Sequence, residues 1–202
     1  MNIICVGRNY VDHIKELNNN IPENPVIFFK PETSLNKSNQ FKYPSITNNL
    51  HYEVELVFKI KKEGKNIKKI DAKTHIDSIG IGIDFTARDI QSIAKERRLP
   101  WDLSKGFDNS ASISIFKKIN FFKNIDNLNF SLYKNKKEVQ NGNSKLMIYK
   151  IDFLIHYISK YVTLNKGDLI FTGTPKGVGP VNVGDKLEAY IENEKLLITN
   201  II

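Results

Sequence analysis

Apolar and polar residues alternate with a period of two along much of the chain, which predicts a mainly β structure. The clearest case is residues 51–60, where every second residue is apolar, as expected of a strand with one buried face. Short apolar runs bounded by Gly, Asn and Pro predict further strands at residues 3–6, 26–29, 78–85, 112–116, 130–133, 168–172, 186–191 and 196–201. A period near 3.6 predicts helices over residues 10–17, 86–98 and 150–161.

The predicted strands outnumber the helices and do not alternate regularly with them. This order favours a β-rich α+β fold over a doubly wound parallel sheet, in which a helix would follow each strand. No internal repeat and no linker interrupts the chain, and its 202 residues suffice for one compact core. We therefore expect a single domain spanning residues 1–202.

Lysine dominates the charge of the chain. Thirty Lys and Arg residues against twenty-two Asp and Glu residues give a formal net charge of +8, a balance that can indicate a nucleic-acid-binding protein. Only four of these basic residues are arginines, the residue type that makes bidentate contacts with phosphates and bases. The lysines are also scattered, so a solvated lysine-rich surface is favoured over nucleic-acid binding.

Two further features of the sequence indicate the cellular compartment of the protein. The chain has a single cysteine, Cys5, which excludes an internal disulfide and suits a reducing environment. No apolar stretch reaches the roughly 18 residues that a membrane-spanning helix requires. These features predict a cytoplasmic protein that does not enter a membrane.

A pair of carboxylates lies on one side of the most regular predicted strand. Alternation places His51, Glu53 and Glu55 on the face opposite the apolar residues. The roots of the two glutamates are then roughly 7 Å apart, so their oxygens can converge on one cation. Hard oxygen ligands suit Mg²⁺, Mn²⁺ or Ca²⁺ better than Zn²⁺. The alternative is the solvated face of an antiparallel strand.

The next predicted strand ends in a third candidate ligand. Gly80, Gly82 and Asp84 share one face, and a strand face without side chains often allows another group to approach the backbone closely. Asp84 could add a third oxygen ligand to those of the two glutamates. The alternative is a glycine face required by packing, with Asp84 leading into the following helix.

That helix carries candidate substrate-binding groups in its first turns. Thr86 and Asp89 have the spacing of a capping box, which predicts that the helix begins there. Arg88 and Gln91 lie one turn apart and close to Asp84. Arginine and glutamine can hold a carboxylate or a developing oxyanion, although an ordinary polar helix face explains them equally well.

Two more groups of polar residues are candidates for chemistry. His13 and Glu16 are neighbours on the first predicted helix, so the carboxylate can orient the imidazole as a general base; an exposed His–Glu pair is the alternative. Residues 171–180 are Gly-rich, but they lack the Gly-Lys-Ser/Thr ending of a phosphate-binding loop, and no helix pattern follows them. A loop that presents Thr174 and backbone N–H groups to a small anion is more plausible than a nucleotide site.

The order of these groups resembles the fumarylacetoacetate hydrolase family. The resemblance rests on five motifs, which contain His13 and Glu16; Glu53 and Glu55; Asp84, Arg88 and Gln91; Lys105 within residues 104–108; and Thr174 within residues 172–180. It is greatest for the short members with acylpyruvase, oxaloacetate decarboxylase and oxaloacetate tautomerase activities.

This resemblance implies a mixed β-roll with a few flanking helices, a homodimer, and one Mg²⁺ or Mn²⁺ in each subunit. By motif match, the expected metal ligands are Glu53, Glu55 and Asp84. The expected contacts to the substrate oxyanion and carboxylate are Arg88, Gln91, Lys105 and Thr174, with Lys105 counted among the catalytic residues. His13 and Glu16 match a catalytic dyad on a mobile lid, here about residues 8–24.

The activity that the resemblance implies is hydrolysis of the C3–C4 bond of acylpyruvates, which are small 2,4-dioxo acids, to pyruvate and a carboxylate. Alternatives at the same site are keto–enol tautomerisation or decarboxylation of oxaloacetate, or an isomerase activity of the 2-hydroxyhepta-2,4-diene-1,7-dioate type. From another class, a basic nucleic-acid-binding protein is the alternative.

Overall fold

The structure is a computed structural model that describes residues 1–17 and 20–202. Within these ranges it contains sixteen β-strands and four α-helices. The strands are β1 (Ile3–Gly7), β2 (Val26–Lys30), β3 (Leu35–Asn36), β4 (Gln40–Phe41), β5 (Leu50–Tyr52), β6 (Val54–Ile60), β7 (Ile76–Asp84), β8 (Thr86–Ala87), β9 (Ala111–Ile113), β10 (Lys117–Lys118), β11 (Asn129–Lys134), β12 (Lys137–Asn143), β13 (Leu169–Phe171), β14 (Gly179–Pro180), β15 (Lys186–Ile191) and β16 (Glu194–Ile201). The helices are α1 (Val11–Glu16), α2 (Arg88–Glu96), α3 (Asp102–Lys105) and α4 (Ile151–Tyr161), and short 3-10 helices cover Glu32–Ser34, Lys69–His75, Ile119–Phe121 and Ser144–Leu146.

The strands form three sheets. The largest has the order β2-β1-β13-β6-β7-β9-β3, with β10 also paired to β7. It is mixed, because β1 pairs in parallel with β13 and β3 with β9, whereas the other pairs are antiparallel. The second sheet has the order β12-β11-β15-β16-β4, and the third has the order β14-β5-β8. The predicted β-rich α+β class is confirmed.

The central strand β6 is buried on both faces. Leu56, Phe58 and Ile60 point into the main core, which also receives the apolar side of α4. Val57, on the other face, packs in a second cluster with Phe171 and apolar residues of β1. The alternative of a solvated strand face is therefore wrong for β6, and polar residues on this strand need partners inside the protein.

The predicted single strand over residues 51–60 is wrong, because two strands meet there. Residues 50–52 form β5, which pairs with β8 and β14 in the smallest sheet. Residues 54–60 form β6 of the largest sheet. Glu53 lies at the junction between these two sheets. The alternation continues across this change of partners, so the sequence pattern alone does not reveal it.

The predicted capping box at the start of the second helix is also wrong. Thr86 and Ala87 form β8, and α2 begins at Arg88 without a side-chain cap. The Asp89 carboxylate instead accepts hydrogen bonds from the Thr47 hydroxyl and from the Asn48 N–H. Partners elsewhere in the fold thus replace the local cap that the spacing suggested.

The glycine face of β7 is explained by packing. A Cβ atom on Gly82 would lie 2.6 Å from Cε1 of Phe171, and one on Gly80 would lie 2.9 Å from Oγ of Ser114. Side chains of neighbouring strands therefore fill the space that the glycines leave.

None of the helices in the described part of the chain is long and apolar enough to cross a membrane.

Candidate active site

Three buried carboxylates meet where β5, β6 and β7 come together. One oxygen atom from each of Glu53, Glu55 and Asp84 lies within 4.8 Å of the corresponding atoms of the other two. Glu53 lies at the junction of two sheets, Glu55 is the second residue of β6, and Asp84 is the last residue of β7. Because β6 and β7 are antiparallel, with Glu55 opposite Gly82, the end of β7 lies beside the start of β6. We call these three residues the acidic triad.

The members of the acidic triad differ in their electrostatic surroundings. Burial, followed by the neighbouring charges of Asp84 and Glu53, raises the pKa of Glu55 well above its ordinary value. Burial also disfavours the ionised form of Glu53, but the Lys105 and Arg88 cations outweigh it and hold the pKa of Glu53 well below its ordinary value.

Lys105 lies between two of the carboxylates. It ends α3, and its Nζ atom donates hydrogen bonds of 2.7 Å each to Glu53 Oε2, Asp84 Oδ2 and Thr86 Oγ1. These charge-assisted bonds account for all three protons of the ammonium group. Lys105 is buried, so the carboxylates supply the stabilisation that its charge would otherwise take from water.

Two other cations contact the acidic triad. The Nη2 atom of Arg88 donates to Glu53 Oε1, and its Nη1 atom donates to Gln91 Oε1 at 2.6 Å. The Nζ atom of Lys30, on β2, lies 2.8 Å from Asp84 Oδ1. This last contact lacks hydrogen-bond geometry, and the buried Oδ1 atom of Asp84 has no hydrogen-bond partner.

The acidic triad fits a divalent cation. Its donors are all carboxylate oxygens, which suit Mg²⁺ and Mn²⁺. Asp84 Oδ1 is buried without a hydrogen bond from any described residue, and burial, followed by the charges of Asp84 and Glu53, raises the pKa of Glu55. A cation bound here would satisfy both groups.

His13 and Glu16 form the predicted pair on α1. His13 Nδ1 lies 3.3 Å from Glu16 Oε2, and Glu16 Oε1 accepts a hydrogen bond of 2.9 Å from the Gly177 N–H. The His13 side chain is only 7% exposed, so the alternative of an exposed pair is wrong for the imidazole. Burial lowers the pKa of His13, against the opposing effects of Glu53 and Glu16.

The loop after β13 connects several parts of the site. The Gly173 N–H donates to Glu55 Oε2 at 2.7 Å, and Thr174 Oγ1 accepts a hydrogen bond from Gln140 Nε2 at 2.8 Å. Gly173 has a φ of +93°, and a Cβ there would lie 2.8 Å from Cβ of Asn9. Only glycine suits both that backbone conformation and that close approach.

Sequence reasoning missed the two residues that hold this loop. Asn9 Nδ2 donates to the backbone oxygens of Thr172 and Tyr149, and Gln140 Oε1 accepts from the Val54 N–H at 2.9 Å. Asn9 lies between the first predicted strand, residues 3–6, and the first predicted helix, residues 10–17, and could have been noticed for that position. Gln140 lies on β12, which was not predicted, and no sequence signal connects it to the site.

One cleft brings most of the predicted site residues together. Eight of the nine line it, and the ninth, Glu16, contacts His13. The structure adds lining residues that the sequence had not singled out, chiefly Arg8, Phe28, Lys95 and Trp101. Arg8 and Trp101 belong to scarce residue types in this chain, with four arginines and one tryptophan, and that scarcity was the only available signal.

The fold and the site place the chain in a class of β-rich proteins in which adjoining sheets enclose an acidic cation site beside a histidine. Residues 2–201 match the family described as fumarylacetoacetate (FAA) hydrolase C-terminal, and the chain belongs to that family. The predicted family and the predicted β-roll fold are confirmed.

Curated relatives with similar sequences are named as enzymes. A mitochondrial oxaloacetate tautomerase of Mus musculus is 40% identical over 95% of this chain and 87% of its own length. A mitochondrial oxaloacetate decarboxylase of Dictyostelium discoideum is 41% identical over 94% of this chain and 88% of its own length. The oxaloacetate tautomerase YcgM of Escherichia coli is 39% identical, with coverage of 96% and 90%. The chain is accordingly an enzyme of this family.

Solved structures agree with this assignment. The fumarylpyruvate hydrolase of Pseudomonas aeruginosa, in complex with Mn²⁺ and pyruvate, has a TM-score of 0.95 and 32% identity; the match covers 100% of this chain and 89% of that one. A fumarylacetoacetate hydrolase family protein from Yersinia pestis has a TM-score of 0.96 and 36% identity, with coverage of 100% and 93%.

Proposed function

We propose that the protein is a Mg²⁺- or Mn²⁺-dependent enzyme that hydrolyses the C3–C4 bond of acylpyruvates, giving pyruvate and a carboxylate. The observation that carries this proposal is that one cleft contains both the acidic triad and the His13–Glu16 pair. The first is a site for a Lewis acid, and the second is suited to activate water.

Glu53, Glu55 and Asp84 would hold the cation. When bound, it supplies Lewis-acid polarisation of the 2-keto oxygen of the substrate. The Gly173 N–H bond to Glu55 Oε2 fixes the orientation of that carboxylate. Thr174 and its loop would bind the substrate carboxylate from the other side of the cleft.

His13 is the proposed general base. Glu16 accepts the Nδ1 proton of the imidazole, which leaves Nε2 free to take a proton from water. Because burial lowers the pKa of His13, the ring is neutral and able to accept a proton near pH 7. Glu16 is a positioning residue, anchored in turn by the Gly177 N–H.

Arg88, Gln91 and Lys105 are the proposed oxyanion-stabilising groups. The hydroxide generated by His13 attacks C4, and the negative charge that develops on the C4 oxygen would be stabilised by the N–H groups of Arg88 and Gln91 and by the positive charge of Lys105, whose three protons are already donated. Cleavage of the C3–C4 bond then releases the acyl group as a carboxylate. The remaining enolate takes up a proton at C3 and becomes pyruvate.

Oxaloacetate is the second candidate substrate. The relatives from mouse and Escherichia coli are named oxaloacetate tautomerases, and the one from Dictyostelium is named a decarboxylase. The same base can move a proton between C3 and the enol oxygen, and the same enolate can form by loss of CO₂. An isomerase activity is a further alternative, because a 5-carboxymethyl-2-hydroxymuconate delta-isomerase of Mycobacterium smegmatis is a structural neighbour, with a TM-score of 0.88 and 30% identity.

We also propose that residues 1–202 form one catalytic domain whose lid covers about residues 8–24. Glu16 and the Gly177 N–H make the hydrogen bond that would hold the lid closed. Residues 18 and 19 of this segment lie outside the described residues.

A homodimer is proposed from an apolar groove on the surface. Phe29, Ile46, Leu103 and Phe107 line it, and Leu103 is 79% exposed. An apolar surface of this kind is typical of an interface between subunits. Light scattering on the purified protein, compared with the variant Leu103→Lys, tests this proposal; a monomer in both would contradict it.

We also propose that the protein is cytoplasmic and that it does not bind nucleic acid. Cys5 is the single cysteine, so no internal disulfide forms, which suits a reducing compartment; burial raises its pKa and makes the thiol unreactive. The scattered lysines argue against a nucleic-acid surface. Cell fractionation tests the first proposal, and filter binding at two salt concentrations tests the second, because affinity for nucleic acid would fall steeply with salt.

The decisive experiment follows acetylpyruvate and oxaloacetate by ultraviolet absorbance with metal-stripped protein, before and after addition of Mg²⁺ or Mn²⁺. We expect metal-dependent release of pyruvate from acetylpyruvate. His13→Gln should lower kcat by about 10²- to 10⁴-fold, the usual effect of removing a general base. His156→Gln, a change on the remote helix α4, is the matched control.

Two results would contradict the proposal. Hydrolysis that proceeds at the same rate without metal would remove the acidic triad from the mechanism. If oxaloacetate reacts and acetylpyruvate does not, the site assignment would stand, but the enzyme would be a tautomerase or decarboxylase.

A further inference from the structure

Two cations line the cleft without an acidic partner. Arg8 and Lys95 form no ion pair with any carboxylate in residues 1–17 and 20–202. Both lie over the same indole ring: Cζ of Arg8 is 5.6 Å from the centroid of Trp101, and Nζ of Lys95 is 5.7 Å from it. The ring thus lies beside two like charges, and no described residue neutralises either of them.

These residues are part of the cleft that contains the acidic triad. Trp101 packs edge-on against Phe28 with a centroid separation of 6.1 Å, and Nζ of Lys105 lies 5.4 Å from the centroid of Phe28. The two aromatic rings thus connect Lys105, which contacts the acidic triad, with the Arg8–Lys95 pair. All five side chains line the same opening.

The charges that line the cleft do not balance. They comprise three carboxylates, those of the acidic triad, and four cations, Arg8, Arg88, Lys95 and Lys105. A divalent cation at the triad would add two further positive charges. A ligand that carries one negative charge leaves most of this excess uncompensated, whereas a ligand with two carboxylates neutralises more of it.

The backbone positions both cations with little freedom. Arg8 has a φ of +57°, a conformation that residues other than glycine seldom adopt, and it directly follows strand β1. Lys95 is in the last turn of α2, the helix that also carries Arg88 and Gln91. Burial, followed by the nearby charges of Arg88 and Arg8, lowers the pKa of Lys95 to about 8, as expected of a cation that lacks a counterion.

We propose that Arg8 and Lys95, held against Trp101, form a subsite for a second carboxylate of the substrate, and that the enzyme therefore prefers dianionic 2-oxo acids to monoanionic ones. This inference rests on the proposed function, because it names the substrate class of the same cleft. Trp101 restricts the two side chains through cation–π contact, and its ring closes the apolar side of the subsite.

Equilibrium binding tests the subsite independently of turnover. The probes are 2-oxoadipate and 2-oxohexanoate, which have the same chain length and differ in a terminal carboxylate against a methyl group. Calorimetry in the presence of Mg²⁺ should give tighter binding of 2-oxoadipate to the unaltered protein. Lys95→Met should weaken the binding of 2-oxoadipate by about 10- to 100-fold, the worth of a charge-assisted hydrogen bond.

Two further variants make the test specific. Lys95→Arg keeps the charge and should keep most of the preference for 2-oxoadipate. Lys160→Met changes the penultimate residue of α4, as Lys95→Met changes the penultimate residue of α2, and should leave both affinities within about twofold of those of the unaltered protein. Arg8→Met should repeat the effect of Lys95→Met.

The possible outcomes distinguish failure of the proposed subsite from failure of the proposed reaction. Equal affinity for both probes in the unaltered protein, or an equal loss of both in Lys95→Met, would overturn the subsite even if acylpyruvates are hydrolysed. A preference that Lys95→Met abolishes would support the subsite even if the reaction proves to be tautomerisation. Among reacting substrates, fumarylpyruvate and crotonylpyruvate offer the same contrast, and the ratio of their kcat/KM values should fall by at least about tenfold in Lys95→Met.

Discussion

At the scale of single residues, Lys30 allows the contribution of a buried ion pair to stability to be compared with that of an exposed pair. Its Nζ atom is 2.8 Å from Asp84 Oδ1 and also donates to Ser110 Oγ and to the backbone oxygen of Lys105. Water does not reach either charge, so each depends on the other.

Lys30→Met should lower the free energy of unfolding by about 3 to 5 kcal/mol, since it leaves a buried carboxylate without one of its cations. Urea denaturation provides the measurement. The control is Lys118→Met, which removes an exposed pair of 2.7 Å with Asp77 on the same strand, β7, and should cost less than about 1 kcal/mol. Similar losses of unfolding free energy in both variants would show that burial does not increase the contribution of the Lys30–Asp84 pair to stability.

The charge of Lys95 predicts a pH dependence. Its pKa is about 8, so its protonated fraction falls as the pH rises through that value. The groups that act on it, Arg8, Arg88, Lys105 and Glu53, keep their charges over this range, because arginine remains protonated, the pKa of Lys105 is raised and that of Glu53 is lowered.

Affinity for 2-oxoadipate should consequently decrease between about pH 7 and pH 9.5, whereas affinity for 2-oxohexanoate should not. Lys95→Arg should remove the decrease, because arginine stays charged. The same decrease in Lys95→Arg would assign the titration to another group.

The three carboxylates of the acidic triad could be singled out from the sequence, although they meet only because β7 pairs with β6, whereas their surroundings could not be predicted. Glu53 and Glu55 follow from strand alternation, and Asp84 follows from its place at a strand end. Lys30 lies in an otherwise apolar strand, and only the sheet order brings it next to Asp84. The same holds for Gln140, whose amide reaches Val54 from a different sheet.

At the scale of elements, β7 depends on two residues without side chains. Gly82 faces Phe171 and Val57, whose atoms would lie 2.6 and 2.9 Å from an added Cβ. Contacts this short force neighbouring strands apart, and both neighbours belong to the core strands β6 and β13.

Gly82→Ala should therefore destabilise the protein by about 1 to 3 kcal/mol, the usual cost of overpacking a core. Thermal unfolding measures the effect, and the second change Phe171→Leu should recover part of it by making room. No loss of stability in Gly82→Ala would show that β6 and β13 can move apart freely.

The success of the sequence-based predictions did not depend on the length of the element. Residues 186–191 form β15 as predicted, and α4 begins only one residue after its predicted start. The predicted strand over residues 51–60 proved to be two strands, and β12 was missed. The change of sheet partners at Glu53 leaves no trace in the alternation, and β12 contains a single large apolar residue, Val139, so it has no alternation to detect.

At the scale of the whole molecule, metal binding should stabilise the fold, because the acidic triad joins different parts of the chain. At a concentration one hundred times the dissociation constant, Mn²⁺ should add about 2.7 kcal/mol to the free energy of unfolding. For a chain of about this size, that corresponds to a rise in melting temperature of roughly 5 to 10 °C.

A thermal shift titration with Mn²⁺, reversed by a chelator, measures this stabilisation. Glu55→Gln should weaken Mn²⁺ binding by at least about 100-fold, given that even partners outside the ligand sphere are worth 10- to 100-fold, and the thermal shift should disappear. Glu192→Gln, a change in the turn between β15 and β16, is the control. An undiminished shift in Glu55→Gln would place the metal elsewhere.

The parallel pairing of β1 with β13 has a consequence for synthesis on the ribosome. β1 is the first strand to emerge, yet its partner on one side contains Leu169, Ile170 and Phe171. At ordinary rates of translation, roughly ten to thirty seconds pass between the appearance of the two strands. The apolar residues Ile3 and Ile4 lack this partner during that interval, so chaperones have their longest opportunity to bind at the segment that later forms β1, between β2 and β13.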